Sequence, residues 1–193
     1  MSLALQMGRS ALKVRRDDFY ETPECATRAL LRCEPLTNVW EPACGKGAIS
    51  QVLAEAGVTV FSSDLVDRGY SFGGVDFLLE RQAPAGVLAV VTNPPFKLAD
   101  QFIRHGLNLV PTVIMLLRWA YAEGEGKSDI IDNHLTRVWL GRERLPFMHR
   151  EGYEGPRHSN SGAPFAWFVF ERHPAKPGRF DVQRISWREN VSR

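Results

Sequence analysis

No apolar run in this sequence reaches the length of a membrane span, so no membrane partner is expected. A secretory leader is missing too. Residues 1–16 carry Arg9, Lys13, Arg15 and Arg16 but no apolar core followed by a small-residue cleavage site, and they read as a basic flexible arm. Cysteine is scarce. Cys25, Cys33 and Cys44 are an odd number without metal-ligand spacing, which points to free thiols in a reducing cytoplasm and to no metal site. Internal repeats, low-complexity tracts and interdomain linkers are absent, so residues 17–193 are expected to form one domain. Net charge is only +2, and a nucleic-acid partner would have to be met by a local basic surface.

What is present is an ordinary globular composition, 44% hydrophobic and 24% charged over 193 residues, enough chain for a sizeable core. Val87-Leu88-Ala89-Val90-Val91 is a short apolar run of the kind that forms a strand buried on both faces. Thr92-Asn93-Pro94-Pro95-Phe96 follows. The two prolines lack N–H groups and end the ladder, and the residue before a proline is held extended. The product is a stiff turn at the C-terminal end of a buried strand, where open α/β sheets place ligands. An amide (Asn93), proline carbonyls and an aromatic ring (Phe96) on that turn suit a planar ring bearing an amino group. An ordinary strand-ending turn with a core Phe is the alternative.

Before this turn, Thr22 is placed to cap a helix that starts at Pro23 and runs to about Cys33. Tyr20 either staples that helix or lies against a ligand. Asn38-Val39-Trp40-Glu41 reads as a strand, Pro42-Ala43-Cys44-Gly45-Lys46-Gly47-Ala48 as a tight small-residue turn, and the stretch to Ala56 as a helix ended by Gly57. Strand, glycine turn and helix make the first unit of a nucleotide-binding sheet, the glycines letting backbone N–H groups approach a ligand. The third glycine of the dinucleotide fingerprint is missing, and no Gly-Lys-Ser/Thr makes a P-loop. Lys46 therefore reads as a solvated turn residue. A second strand over Val58–Ser63 ends at Asp64, about twenty residues after the first turn, where an acid either accepts ribose hydroxyls or caps a helix. Asp76 and Phe77 offer an acceptor and a ring for an adenine; alternatively Asp76 is a cap and Phe77 is core.

Beyond the double-proline turn, Leu98 to Leu109 shows helical spacing, and Val113–Leu117 is another apolar strand. Arg118 to about His134 reads as a loop leading into a short helix, and Thr136–Leu140 as a strand. A long basic segment from Gly141 to Ser161 carries Arg142, Arg144, Arg150 and Arg157 with Phe147 and Tyr153, too long for structural filler. Ala163–Glu171 is a strongly apolar strand, and Phe180–Trp187 a last edge strand.

Glu41-Pro42-Ala43-Cys44-Gly45-Lys46-Gly47, then Asp64, then Asp76-Phe77, then Asn93-Pro94-Pro95-Phe96, in this order and spacing, resembles the DNA adenine amino-methyltransferases that use S-adenosylmethionine. Small phage and prophage members, which also begin with a Phe-Tyr-x-Thr-Pro segment, look most similar. The resemblance covers about residues 17–117. It implies an α/β, Rossmann-like class I methyltransferase fold with a seven-stranded, mostly parallel sheet, the last strand inserted antiparallel. By resemblance, Phe19, Tyr20 and Thr22 line the methionine side of S-adenosylmethionine, and the turn built from Glu41, Pro42, Ala43, Cys44, Gly45 and Gly47 wraps it. Asp64 takes the ribose, Asp76 and Phe77 hold the adenine moiety, and Asn93, Pro94, Pro95 and Phe96 form the catalytic turn that holds the target base.

Two departures stand out. Phe96 replaces the Tyr of many members, and the chain is too short for a separate target-recognition domain. Arg142, Arg144, Arg150 and Arg157 are therefore the expected contacts to DNA, the protein acting as monomer or homodimer. An amino-methyltransferase for RNA or for a protein glutamine amide is the nearest rival, and a catalytically idle module that binds cofactor or DNA is another. Cytosine-ring methylation is disfavoured, since no Pro-Cys pair offers a nucleophile.

Overall fold

Strands that read as continuously apolar are buried on both sides, and two of them carry the core. In β4 (Thr112–Arg118), Val113, Met115 and Leu117 join one hydrophobic cluster while Ile114 and Leu116 join the other. In β6 (Phe165–Glu171), Ala166, Phe168 and Phe170 face the first, and Phe165, Trp167 and Val169 the second. Alternation of period two therefore delivers one strand to two apolar layers. Helices supply those layers, and burying each large side chain contributes about 1.5–3 kcal/mol.

The structure, a computed structural model, describes residues 20–123, 125–146 and 162–188. In chain order they form α1 (Glu24–Leu31), β1 (Asn38–Glu41), α2 (Ala48–Glu55), β2 (Thr59–Ser62), β3 (Ala89–Thr92), α3 (Ala99–Leu109), β4, α4 (Ser128–His134), β5 (Leu135–Gly141), β6 and β7 (Asp181–Ile185). One seven-stranded sheet has the order β2-β1-β3-β4-β6-β5-β7. Only β6 runs antiparallel to its two neighbours, and β7 adds to β5 in parallel. The α/β, Rossmann-like methyltransferase fold with one antiparallel strand is thus present.

Its details differ from the expectation in one respect. The inserted antiparallel strand is the sixth, and the last strand lies at the sheet edge. At the other edge, the segment after β2, where the glycines of residues 66–74 mark a loop, forms only a single bridge, Ser63 to Phe72. Three glycines in residues 69–74 disfavour a ladder there. Among the described residues no helix is long and apolar enough to cross a membrane, and no cluster of ligating side chains could hold a metal ion.

Tryptophan indoles pin the layers together. Trp40 Nε1 donates to Ser63 Oγ at 2.9 Å, tying β1 to the end of β2. Trp167 Nε1 donates to the Ala26 carbonyl at 2.9 Å, fixing α1 on β6. Trp187 Nε1 donates to the Glu143 carbonyl at 2.8 Å. Trp139 Nε1 donates at 2.7 Å to Glu34, a buried carboxylate that also takes the Arg137 guanidinium through Nε at 2.9 Å and Nη2 at 3.1 Å. Glu34 follows α1 and Arg137 lies on β5, so this group closes the chain across more than a hundred residues. Arg137 Nη1 also donates to Glu171 at 2.9 Å, so loss of Glu34 leaves the guanidinium one carboxylate and the Trp139 N–H without its acceptor. Glu34→Ala should lower unfolding free energy by about 1–2 kcal/mol; an unchanged urea midpoint would contradict this role.

Candidate active site

β1, β2 and β3 run parallel and end on one side of the sheet, with β2 and β3 flanking β1. This is a switch point, where chain direction across the sheet reverses and a crevice opens. The crevice is lined by Tyr20 and Thr22 from the lead-in, Glu41 to Cys44 from the first turn, Asp64 after β2, Asp76 and Phe77, and Asn93 and Pro95 after β3. Ile49, Leu98 and Phe102 complete an apolar wall. Five separate stretches of sequence therefore converge, three of them because β1, β2 and β3 end on the same side of the sheet.

The glycine turn is shaped by what lies over it. Gly45 and Gly47 have positive φ of 57° and 84°. A Cβ on Gly47 would stand 2.5 Å from the Tyr70 ring, so this position demands glycine on two counts. Gly45 N–H, a donor one would offer to a ligand, instead donates to Asp64 Oδ2 at 2.8 Å. Asp64 Oδ1 accepts from Val66 N–H at 2.8 Å, and Arg68 Nη1 stands 3.7 Å away. Asp64 thus anchors its own turn and caps no helix, none following it before Phe77, while it still lines the crevice. A carboxylate has about four lone-pair sites, so two internal bonds leave room for a ligand's hydroxyls.

Glu41 ends β1 and is buried. Ser50 Oγ donates to its Oε2, and Ser50 Oγ lies 2.6 Å from Ser62 Oγ. Burial pushes the Glu41 carboxyl up to about 8, hydrogen bonds with Ser50 pull against this, and nearby Asp64 adds to it. Burial likewise pushes the Cys44 thiol up to about 11. Cys44 Sγ is 2.9 Å from Ser71 Oγ. A thiol held protonated is no nucleophile, in keeping with the sequence argument against cytosine chemistry.

Asp76 and Phe77 take the capping and core alternative. Asp76 Oδ1 accepts from Leu78 N–H at 3.1 Å and caps a short 3-10 turn, Phe77–Leu79, while Phe77 is 2% exposed and packs on Trp40 and Phe102. Each also lines the crevice. Thr22 does not cap α1: Pro23 occupies the cap position, and Ala26 N–H bonds to its carbonyl. The Thr22 hydroxyl instead accepts from Asn93 Nδ2 at 3.1 Å, with the Tyr20 carbonyl 3.5 Å from the same nitrogen. The lead-in is thereby fastened to the double-proline turn. Pro94 is buried, and Phe96 stands outside the crevice wall, its ring stacked with Tyr20 at a centroid distance of 6.0 Å. Tyr20, which lines the crevice and stacks on Phe96, is the partition between the crevice and that ring.

Several site residues carry no signal in the sequence that would have singled them out: Ser50, Tyr70, Ser71, Leu98 and Phe102. Arg68 is the exception, being four residues after Asp64. Lys46, read as a solvated turn residue, is exposed and pairs with Glu21 at 3.5 Å. Arg142 and Arg144 are exposed; Arg142 N–H bonds to the Ile185 carbonyl, and Arg144 Nη1 donates to the Gly162 carbonyl at 3.2 Å. The arm of residues 1–16, Phe19, Phe147, Arg150, Tyr153 and Arg157 lie outside the described residues.

The buried Glu41 carboxyl makes stability depend on pH. Its folded value exceeds its ordinary one, so its contribution is fully present below about 4.5 and is lost as pH rises through about 8. Wild type should lose stability relative to Glu41→Gln at up to about 1.4 kcal/mol per pH unit across that window. Parallel pH profiles of urea unfolding would show that Glu41 is ionised in the fold.

Likeness to proteins of known structure is one of fold. A proposed RNA methyltransferase from Pyrococcus horikoshii superposes with a TM-score of 0.57 at 16% identity, over 82% of this chain and 89% of that one. The 23S rRNA methyltransferase ErmE superposes with a TM-score of 0.54 at 17% identity, over 83% and 72%. TrmN from Thermus thermophilus gives 0.50 at 22% identity, over 75% of this chain and 47% of that one. No protein-family model matches the sequence, and no curated protein matches it. The chain is thus built on the fold that methyltransferases use.

Proposed function

We propose that this protein transfers a methyl group from S-adenosylmethionine to the exocyclic amino group of adenine in DNA. The observation that carries the reading is the meeting of Asn93 and Pro95 with Glu41, Asp64 and Asp76 in one crevice, with Phe96 just across the Tyr20 partition. The crevice fits the cofactor's chemistry. Asp64 presents a carboxylate for a diol, Ile49, Phe77, Leu98 and Phe102 supply an apolar slot for a purine, and acidic groups face a ligand that carries positive charge. When bound, the cofactor supplies a methyl group already electrophilic on a sulfonium, so the reaction calls for no metal.

The protein's part is alignment and electrostatics. Thr22 and the Tyr20 carbonyl hold the Asn93 Nδ2 side, so Oδ1 is carried on the opposite side of the amide. In the proposed complex, Asn93 Oδ1 and the Pro94 carbonyl accept the two N–H bonds of the adenine amino group. The nitrogen then pyramidalises and aims its lone pair at the methyl group. Positive charge developing on that nitrogen is met by two preorganised carbonyl dipoles, and the remaining gain is in-line positioning. Phe96 takes the face of a base that has left its stack. Arg142, Arg144, Arg150 and Arg157 are assigned to phosphates, a role in which each contact steepens the salt dependence of binding.

An RNA acceptor is the second reading. It is favoured by the names of the proteins that share the fold, an RNA methyltransferase and a 23S rRNA methyltransferase. The DNA reading rests instead on the order and spacing of the four motifs in the sequence.

Two substitutions separate the halves of the site. Asn93→Ala should lower the transfer rate about a hundredfold or more, well beyond any loss of S-adenosylmethionine affinity that follows from releasing Thr22; near-normal turnover would remove Asn93 from the chemistry. Asp64→Ala should weaken S-adenosylmethionine binding by about 1.5–3 kcal/mol and, by freeing Gly45 and Val66 N–H, lower thermal stability as well. A destabilised variant with unchanged affinity by calorimetry would leave Asp64 as a turn anchor only.

A further inference from the structure

β4 is buried from Val113 to Leu117, and Arg118, its last residue, is exposed. The Arg118 guanidinium carbon lies 5.1 Å from the centroid of the Phe96 ring. Its position is set by the sheet. Arg118 pairs with Phe165 across the β4–β6 ladder, the Phe165 ring is 6.1 Å from Phe96, and the next residue's N–H, Trp119, donates to the Pro164 carbonyl at 2.8 Å. Among the described residues no carboxylate pairs with Arg118. A cation on a fixed strand end therefore covers the aromatic ring that follows the double-proline turn, and no carboxylate of the described residues holds it there.

A guanidinium over a ring at an exposed site is a weak contact, whereas the same planar fork binds phosphate oxygens through two parallel, charge-assisted bonds. A base stacking on Phe96 needs the surface that the guanidinium covers. Resting on the reading that Phe96 receives the target base, we propose that Arg118 is an exchange residue. It covers Phe96 in the free protein, and when a base takes that place it turns onto a phosphate flanking the same nucleotide. No bond is made or broken in the exchange; one cation trades a ring for an anion. The acceptor is then a nucleotide within a phosphodiester chain, and a glutamine amide in a polypeptide has nothing to offer the displaced cation. Arg118 differs from Arg142 and Arg144 in standing, at the end of β4, directly over the ring of the acceptor turn, so its phosphate is the target nucleotide's own.

The test is a chemical double-mutant cycle on the full chain. Wild type, Arg118→Ala and Arg118→Lys are assayed for methyl transfer to single-stranded DNA and RNA oligonucleotides with one adenine. The linkages flanking that adenine are either natural phosphates or neutral methylphosphonates. Wild type should lose about tenfold or more in kcat/KM on the methylphosphonate substrate, mainly through KM. Arg118→Ala should show a similar loss on the natural substrate and little further loss on the neutral one. Arg118→Lys should recover part of the loss, keeping the charge but not the planar fork. S-adenosylmethionine affinity and melting temperature should be unchanged in both variants. Equal methylphosphonate sensitivity in wild type and Arg118→Ala would overturn the exchange and leave the adenine reading standing. Transfer to a glutamine peptide, with none to any oligonucleotide, would overturn both.

Discussion

The hydrogen bond from Asn93 Nδ2 to Thr22 Oγ1, 3.1 Å long, is the contact on which the rest of the site depends. It joins the lead-in to the turn after β3, and it decides which way round the amide is held. Thr22 is buried at the head of α1, and α1 is fixed on β6 through Trp167 and the Ala26 carbonyl. The orientation of one amide thus traces back through a hydroxyl, a helix and an indole to the most apolar strand of the sheet. The double proline does the complementary work: it leaves the end of β3 rigid without asking for partners that a ladder would supply.

Charge is unevenly spread about the site. The crevice is lined by Glu21, Glu41, Asp64 and Asp76 against Lys46 and Arg68, while Lys97 and Arg118 are exposed beside Phe96. An excess of acid suits a cationic ligand, and exposed cations suit a polyanion. Net charge of +2 conceals this unevenness, because charges of opposite sign cancel in a sum over the chain. Glu41 adds a second feature. A carboxyl held protonated by burial leaves the crevice less negative than its residue types imply near neutral pH.

The strands were legible wherever burial on two faces wrote an unbroken apolar run, as in Val113–Leu117 and Phe165–Phe170, and α3 was legible from the spacing of Phe102, Ile103 and Leu107. Local chemistry misled at Thr22, a good capping residue whose hydroxyl turned to a partner seventy-one residues away. At Asp76, capping and crevice lining proved compatible, as did turn anchoring and crevice lining at Asp64, since one carboxylate has acceptors enough for both. Tyr70 over Gly47 and Arg118 over Phe96 could not be read in advance. Each depends on how a loop or a neighbouring strand is placed, and sheet order is not a local property of the sequence. The segment after β2 was legible by contrast: three glycines between residues 66 and 74 mark a loop, and it forms a single bridge at Phe72.

The most direct measurement of the central claim is to incubate the purified protein with S-adenosylmethionine carrying a labelled methyl group and, separately, with DNA, RNA and protein. The products are then digested and analysed by mass spectrometry. The account predicts label on the exocyclic nitrogen of adenine from DNA, absent with Asn93→Ala. Label confined to N6 of adenine from RNA would keep the chemistry and replace the substrate. Label on a cytosine ring carbon or on a protein side chain, or no transfer to any pool, would contradict the account.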